Sequence, residues 1–340
     1  MPTAPRSLVY YPDARPGISR RRAGRGFSYR APDGTRIEDK LERRRIDGLG
    51  VPPAYEDVWI CPLHNGHLQA TGRDGRARKQ YRYHAEWTAF RSMDKFGDLA
   101  GFGAALPSIR RHIRRDLNGE AGERDYAVAA ILAMIDRMAM RIGHASYSEE
   151  NGSYGATTLR RKHLDLGDDG LSLDYVGKGG KRIRKHLRDK RLARVLHDLG
   201  ELPGAGLVSW TDERGEPHEV TSCQVNERLA EITGEAGFTA KTFRTWAGTV
   251  AALDLALKDA RGDDDGNEEA AAGPSIAEMS RAASARLGNT PAIARKSYIH
   301  PDVIALSTAA RAERRAIIRA APAIRGLRAS ERALLGLLEG

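Results

Sequence analysis

Cysteine is scarce in this chain. Its 340 residues include two, Cys61 and Cys223, far apart in sequence. That excludes a disulfide scaffold and any multi-cysteine zinc or iron–sulfur site. Long apolar runs are lacking too: none approaches the roughly 20 residues that span a bilayer. The opening MPTAPRSLVYYPDARPG has no apolar signal core. The common catalytic signatures are missing as well. There is no HExxH, no EF-hand loop and no G-x-S-x-G elbow, and VGKGGKR lacks the GK[ST] ending of a Walker loop. Chemistry without ATP, a dedicated metal or any other cofactor is therefore expected. What the chain has in excess is positive charge, 55 Lys+Arg against 45 Asp+Glu, a net +10. With 41% hydrophobic and 29% charged residues the composition is globular, and the length fits about two domains. These features predict a cytoplasmic protein with a polyanionic partner. Charge alone leaves nucleic acid, acidic lipid and nonspecific adhesion open.

Patterning divides the chain. Residues 1–45 read as a basic flexible arm, with Arg20, Arg21, Arg22 and Arg25 among glycines. Residues 46–98 read as a β-rich domain. Val58 and Ile60, then Leu68 and Ala70, flank a turn at His64-Asn65-Gly66. The run KQYRYH sets Gln80, Arg82 and His84 against Tyr81 and Tyr83, giving a basic, amide-bearing face and an aromatic one. From about residue 86 the chain becomes helical. The clearest helix is 125–142, with Val128, Ile131, Leu132, Ile135, Met138 and Ile142 at i, i+3, i+4 spacing. Residues 157–187 break the helical run into three short strands, with Leu171, Leu173 and Tyr175 alternating on one face. Residues 160–194 hold twelve Lys and Arg against five Asp, most of the chain's net charge. Helices resume at 221–258, and an acidic connector, 259–274, follows. A basic helical tail, 306–340, ends the chain.

Four residues stand out as carriers of chemistry. Arg141, in MRIGH, ends the strongest helix, where an arginine serves as a helix C-terminal cation or as an inward-pointing anion ligand. Lys178 lies in a glycine-rich hairpin turn. Such a turn suits either an ordinary surface lysine or an amine offered to a phosphate. Arg244 stands in AKTFRTW, and Tyr298 in ARKSYIHP, where Pro301 soon limits the helix.

The order MRIGH, YVGKGG, AKTFRTW and LGNTPAIARKSYIHP resembles the type IB DNA topoisomerases, the small poxviral and bacterial branch. The resemblance runs from about residue 45 to 305. It includes PPAYEDVWICPLHNGHLQATGRDGRARKQYRYH and RIGHASYSEENGSYGATTLRRKHLDL. It implies transesterification on double-stranded DNA. Tyr298 would be the nucleophile forming a 3′-phosphotyrosyl link, Arg141 and Arg244 would hold the non-bridging oxygens, and Lys178 would be the general acid. Asn289, nine residues before Tyr298, stands where many members carry His; it can donate an amide N–H but carries no charge. Gln80, Tyr81, Tyr83, Tyr147, Thr158 and Lys241 match DNA-contacting positions. The chemistry is consistent with these roles. A phenol of pKa about 10 is mostly protonated at neutral pH. Cations around the phosphate stabilise phenolate and phosphorane-like charge, and a departing alkoxide needs a proton.

The fold implied is α+β: a small β-rich N-terminal domain and a larger, mainly helical catalytic domain, 99–305, with a three-stranded β insertion. Together they would form a C-shaped, monomeric clamp on duplex DNA in the nucleoid, with no membrane contact. Two alternatives are a tyrosine site-specific recombinase and a catalytically silent DNA-binding protein. Against the first stand Lys241-Thr242-Phe243-Arg244, where recombinases usually carry His-x-x-Arg, and the β character of 51–85.

Overall fold

The computed structural model describes residues 5–75, 77–93, 96–234, 237–261 and 273–340, with backbone only at 91–93, 146, 147 and 150. Residues 262–272 of the acidic connector thus lie outside the described residues. The chain divides into two compact units, Met1–Gly97 and Asp98–Gly340.

The first unit is an antiparallel sheet. Its elements are β1 (Ile18–Ala23), β2 (Gly26–Arg30), α1 (Lys40–Gly48), β3 (Glu56–Ile60), β4 (Leu68–Arg73), β5 (Lys79–Tyr83) and α2 (Ala85–Met93). The strands lie in the order β2-β1-β3-β4-β5. Ile18, Tyr29, Ile46, Val58, Ile60 and Ala70 form its core. The flexible arm expected at 1–45 is instead built into this sheet. Ile18 is buried and pairs with Ile60. Arg20 donates to the carbonyls of Val51, Pro52 and Tyr55 and lies over the Phe27 ring. A buried isoleucine beside an arginine that caps a loop makes a strand where the arginine cluster alone suggested a tail.

The second unit is mainly helical. It contains α3 (Leu99–Asp116), α4 (Arg124–Met138), α5 (Ala145–Asn151), β6 (Leu164–Gly167), β7 (Gly170–Gly177), β8 (Lys181–Leu187) and α6 (Lys190–Gly200). After the hairpin β9 (Ser209–Thr211) and β10 (Pro217–Glu219) come α7 (Ser222–Thr233), α8 (Ala240–Ala256), α9 (Ile276–Leu287), α10 (Pro291–Tyr298), α11 (Pro301–Ala305), α12 (Arg311–Ala320) and α13 (Ala329–Glu339). Helix α4 is buried on every face from Tyr126 to Ile135, the mark of a central helix. Helices α3, α6, α7 and α8 pack around it. The helix expected to reach residue 142 ends at Met138, because Ala139 takes a left-handed conformation (φ 51°). The β insertion is a three-stranded antiparallel sheet, β6-β7-β8. Leu171, Leu173 and Tyr175 are buried as alternation requires. Ahead of β6, residues 156–158 and 161–163 form short 3₁₀ turns where a strand was expected.

The basic tail is folded onto this unit. Arg314 is fully buried, donates to the Ala256 carbonyl at 2.8 Å and pairs with Asp259. Glu331 receives Arg110, which also pairs with Asp136. Leu334 and Leu335 are buried. A charge count misses such a tail because two of its charged groups are internal and paired.

Candidate active site

Arg244 lies where two helices end. Helix α4 stops at Met138 and helix α9 at Leu287, each followed by a left-handed residue, Ala139 and Gly288. The last carbonyls of a helix have no intrahelical partner and carry partial negative charge. The Arg244 guanidinium, 3% exposed, answers both ends: Nη1 donates to the Ala139 carbonyl and Nη2 to that of Leu287 at 3.1 Å. Its Nε finds no hydrogen-bond partner among the described residues. Its guanidinium carbon stands 5.4 Å from the centre of the Tyr298 ring.

Tyr298 is the last residue of α10. Thr290 caps the start of that helix by accepting from the Ile293 N–H, and Pro291 opens it. Thr249 of α8 donates its hydroxyl to the Tyr298 carbonyl at 3.1 Å and accepts the His300 N–H at 3.2 Å. Gly248 makes this close approach possible. A Cβ there would lie 2.7 Å from the Tyr298 carbonyl oxygen and 3.1 Å from the Tyr298 Cβ. The half-buried phenol is thus set on α8 by the residues four and five positions beyond Arg244. His300 is a helix cap, accepting the Asp302 N–H at 3.3 Å.

The charged side chain that acts most strongly on Arg244 is another arginine. Arg141 is half-buried, three residues past the end of α4, and its carbonyl accepts the Ala156 N–H at 2.8 Å. Burial, and then the charge of Arg141, lower the proton affinity of Arg244, with Tyr298 and Tyr175 acting in the opposite direction. Burial, followed by Arg286, Arg244 and Arg141, brings the Lys185 ammonium down to about 8. No carboxylate is among the groups that move Arg244 or Lys185 most. Asn289 is buried beside Gly288, and both side-chain atoms, Oδ1 and Nδ2, lack a hydrogen-bond partner among the described residues. Buried polar groups are ordinarily satisfied, so a carboxamide and a guanidinium N–H left unpaired here suit an incoming anion. A phosphodiester brings acceptor oxygens for the donors and charge for the cations.

The other expected residues are placed unevenly. Lys178 is exposed at the tip joining β7 and β8, in a 3₁₀ turn Lys178–Gly180. Lys241 is exposed in the first turn of α8. Thr158 is buried, and its hydroxyl closes a turn by accepting the Gly155 N–H at 2.9 Å. Tyr147 lies on α5, with its side chain outside the described residues. In the first unit Tyr81 and Tyr83 are about half exposed, 49% and 47%, and stack at 6.1 Å on the outward face of β5. Gln80, half-buried on the other face, donates to Asp74 at 3.0 Å. The aromatic face of this strand therefore points to solvent and not into the core.

Comparison with known proteins identifies the family. Residues 26–74 match the bacterial DNA topoisomerase IB N-terminal domain. Residues 84–320 match the catalytic core described for eukaryotic DNA topoisomerase I. The chain belongs to the type IB DNA topoisomerases. It is 29% identical over 287 residues to DNA topoisomerase 1B of Acanthamoeba polyphaga mimivirus, covering 83% of this chain and 85% of that protein. It is 24% identical over 193 residues to DNA topoisomerase 1B of vaccinia virus (strain Copenhagen), covering 56% and 57%. With DNA topoisomerase 1 beta of Arabidopsis thaliana it shares 29% over 162 residues, 47% of this chain and 16% of the plant protein. The five-stranded sheet of the first unit also departs from the helical N-terminal domain expected of a recombinase.

Two features of this candidate site are not visible in the sequence alone. Lys185 stood there only as one of twelve basic residues, yet it lies among the site arginines. Alternation could have separated it, because Lys181, Ile183 and Lys185 share one face of β8 while Arg182 and Arg184 take the other. Gly248 and Thr249 carried no local signal, since their roles depend on where α10 ends. No helix among the described residues is long and apolar enough to cross a membrane.

Proposed function

We propose that the protein relaxes supercoiled duplex DNA by transient cleavage of one strand, without ATP or a metal cofactor. The observation that carries this reading is Tyr298 held 5.4 Å from a buried, doubly anchored Arg244, in a cationic pocket with an unpaired Asn289 carboxamide. The Tyr298 hydroxyl oxygen attacks a backbone phosphorus and its proton passes to water. The bond from phosphorus to the 5′ oxygen breaks, leaving a 3′-phosphotyrosine. Lys178 gives its proton to the departing 5′ oxygen, whose alkoxide is a poor leaving group. Arg141, the Arg244 Nε–H and the Asn289 carboxamide receive the non-bridging oxygens, where negative charge grows in the transition state. Religation runs the same steps backwards. The phosphotyrosyl link conserves the phosphodiester bond energy, so no nucleotide is consumed.

Tyr81 and Tyr83 of β5, together with Gln80 and Lys241, supply contacts outside the reacting phosphate. The enzyme works as a monomer on nucleoid DNA. Binding through phosphate contacts displaces counterions, so affinity falls steeply with salt. The test is plasmid relaxation in EDTA without ATP, comparing wild type with Tyr298→Phe. Relaxation by the wild type and none by the variant is expected. A wild type that binds DNA but leaves supercoils unchanged across a range of salt would restore the silent DNA-binding reading.

A further inference from the structure

The strand that follows the Lys178 turn is fastened to the end of helix α9 at successive points. On one face of β8, Arg182 and Arg184 pair with Asp174 at 2.7 and 3.1 Å. The opposite face carries Lys181, Ile183 and Lys185. The Lys185 ammonium donates to the Arg286 carbonyl at 3.0 Å, and that of Lys181 to the Asn289 carbonyl at 3.1 Å. Between them the Ile183 side chain abuts Gly288, where a Cβ would come within 3.0 Å of its Cδ1. Arg244 holds the intervening Leu287 carbonyl. Three carbonyls at this helix end, those of 286, 287 and 289, thus each receive a cationic side chain.

Such a fastening is not what stability alone would select. Lys185 is half-buried, and the charges of Arg286 on α9, Arg244 on α8 and Arg141 after α4 all act against its own. Tyr175 of β7 feels the same two arginines, Arg244 and Arg141. An apolar side chain of similar length would avoid that repulsion and fill the space as well. The position calls for a donor at a fixed place. A turn with a lysine at its tip is also a poor platform for proton transfer, which requires the amine within about 3 Å of the leaving oxygen.

We propose that Lys185 and Lys181 are positioning residues that lock the hairpin carrying Lys178 to the C-terminal end of α9, so that the proton donor is registered against Asn289 and against the Tyr298 helix that follows. This rests on the reading of Lys178 as general acid, and the experiment separates the two. Misplacement of a reacting group by about 1 Å costs on the order of 100-fold. The loss should therefore fall on the step that needs the Lys178 proton.

The experiment uses the full chain in single-turnover cleavage of a duplex with either oxygen or sulfur as the bridging 5′ atom. A thiolate leaves without protonation, since a thiol has a pKa of about 8.5. The variants are Lys185→Met, Lys181→Met and Lys178→Ala. Lys181→Met removes a partly exposed side chain and keeps the test sound should Lys185→Met fold poorly, which melting by circular dichroism reports. On the oxygen substrate, Lys185→Met is expected to slow cleavage by roughly 10–100-fold and Lys181→Met by roughly 3–10-fold. On the sulfur substrate both, like Lys178→Ala, should come within about threefold of wild type. Rescue of Lys178→Ala by sulfur without rescue of Lys181→Met and Lys185→Met would overturn the proposal and leave the general acid intact. Wild-type rates for both lysine variants on oxygen would overturn it as well. Failure of sulfur to rescue Lys178→Ala would remove the general-acid reading and this inference with it.

Discussion

The two units both tie cations to backbone carbonyls but offer different surfaces. In the second unit a buried arginine and two half-buried cations are held by backbone carbonyls. Arg244 bridges two helix ends, Arg286 donates to the Arg137 carbonyl at 2.7 Å, and Lys185 donates to that of Arg286. In the first unit the arginines cap loops, and the surface offered on β5 is a stacked pair of exposed tyrosines. A buried, anchored cation is costly to place but fixed in position, as stabilising a transition state requires. An exposed aromatic pair is cheap to place and tolerant of what it touches, as holding a polymer requires. The first unit should therefore set affinity, and the second rate.

The comparison breaks most sharply at Arg244. Replacing it with Ala removes the guanidinium from the proposed phosphate site and unties the Ala139 and Leu287 carbonyls. Cleavage should fall by about 10²–10³ or more, and chemical denaturation should show a loss of about 2–4 kcal/mol for the unsatisfied buried carbonyls. Arg244→Lys should recover little of either, since an ammonium cannot fork to both helix ends. Gly248→Ala comes next. Its Cβ would press on the Tyr298 backbone at 2.7 Å. Urea melts should show about 1–3 kcal/mol of destabilisation, with slowed cleavage and unchanged DNA binding.

The pH dependence of stability sharpens the contrast further. The Lys185 ammonium titrates at about 8 in the fold against 10.5 in the open chain. Between those values the unfolded chain binds more protons, so this group makes stability rise with pH from about 8 to 10.5. The rise is at most about 3 kcal/mol, and Lys185→Met should flatten it in urea melts across that window. His67, His163 and His300 act at the other end. Burial lowers each below 6.5. Their contribution is complete above 6.5 and is lost as pH falls through the lowered values. The smallest effect belongs to the first unit. Tyr81→Ala with Tyr83→Ala should weaken duplex binding about 3–10-fold, the scale of an aromatic pair. The salt slope, rate of cleavage by bound enzyme and Tm should stay nearly constant. A large fall in rate from these exposed tyrosines would erase the division between the units.

Much of this was legible in the sequence, for identifiable reasons. The β insertion declared itself through Leu171, Leu173 and Tyr175, because alternation is a local property. The family was found through four separated motifs in order, each containing a residue whose type suits phosphoryl chemistry. What stayed hidden depends on tertiary placement. The left-handed Ala139 that ends α4 has no signature in MAMRIGH. The sheet at residues 18–30 was masked by its arginines, since Arg20 is occupied by carbonyls from residues 51–55. The roles of Arg314 and Glu331 required knowing that the last helices fold back onto α3 and α8. Lys185 belongs to the same class: its importance lies in what α9 brings to it.

The most direct test of the central claim is to trap the covalent intermediate. The protein is incubated with a labelled duplex in EDTA, denatured abruptly with detergent, digested, and the nucleotide-bearing peptide sequenced by mass spectrometry. The account predicts a single adduct, at Tyr298 within the ARKSYIHP segment, joined to the 3′ end of the broken strand and absent from Tyr298→Phe. An adduct on another tyrosine, or relaxation by Tyr298→Phe at the wild-type rate, would contradict it.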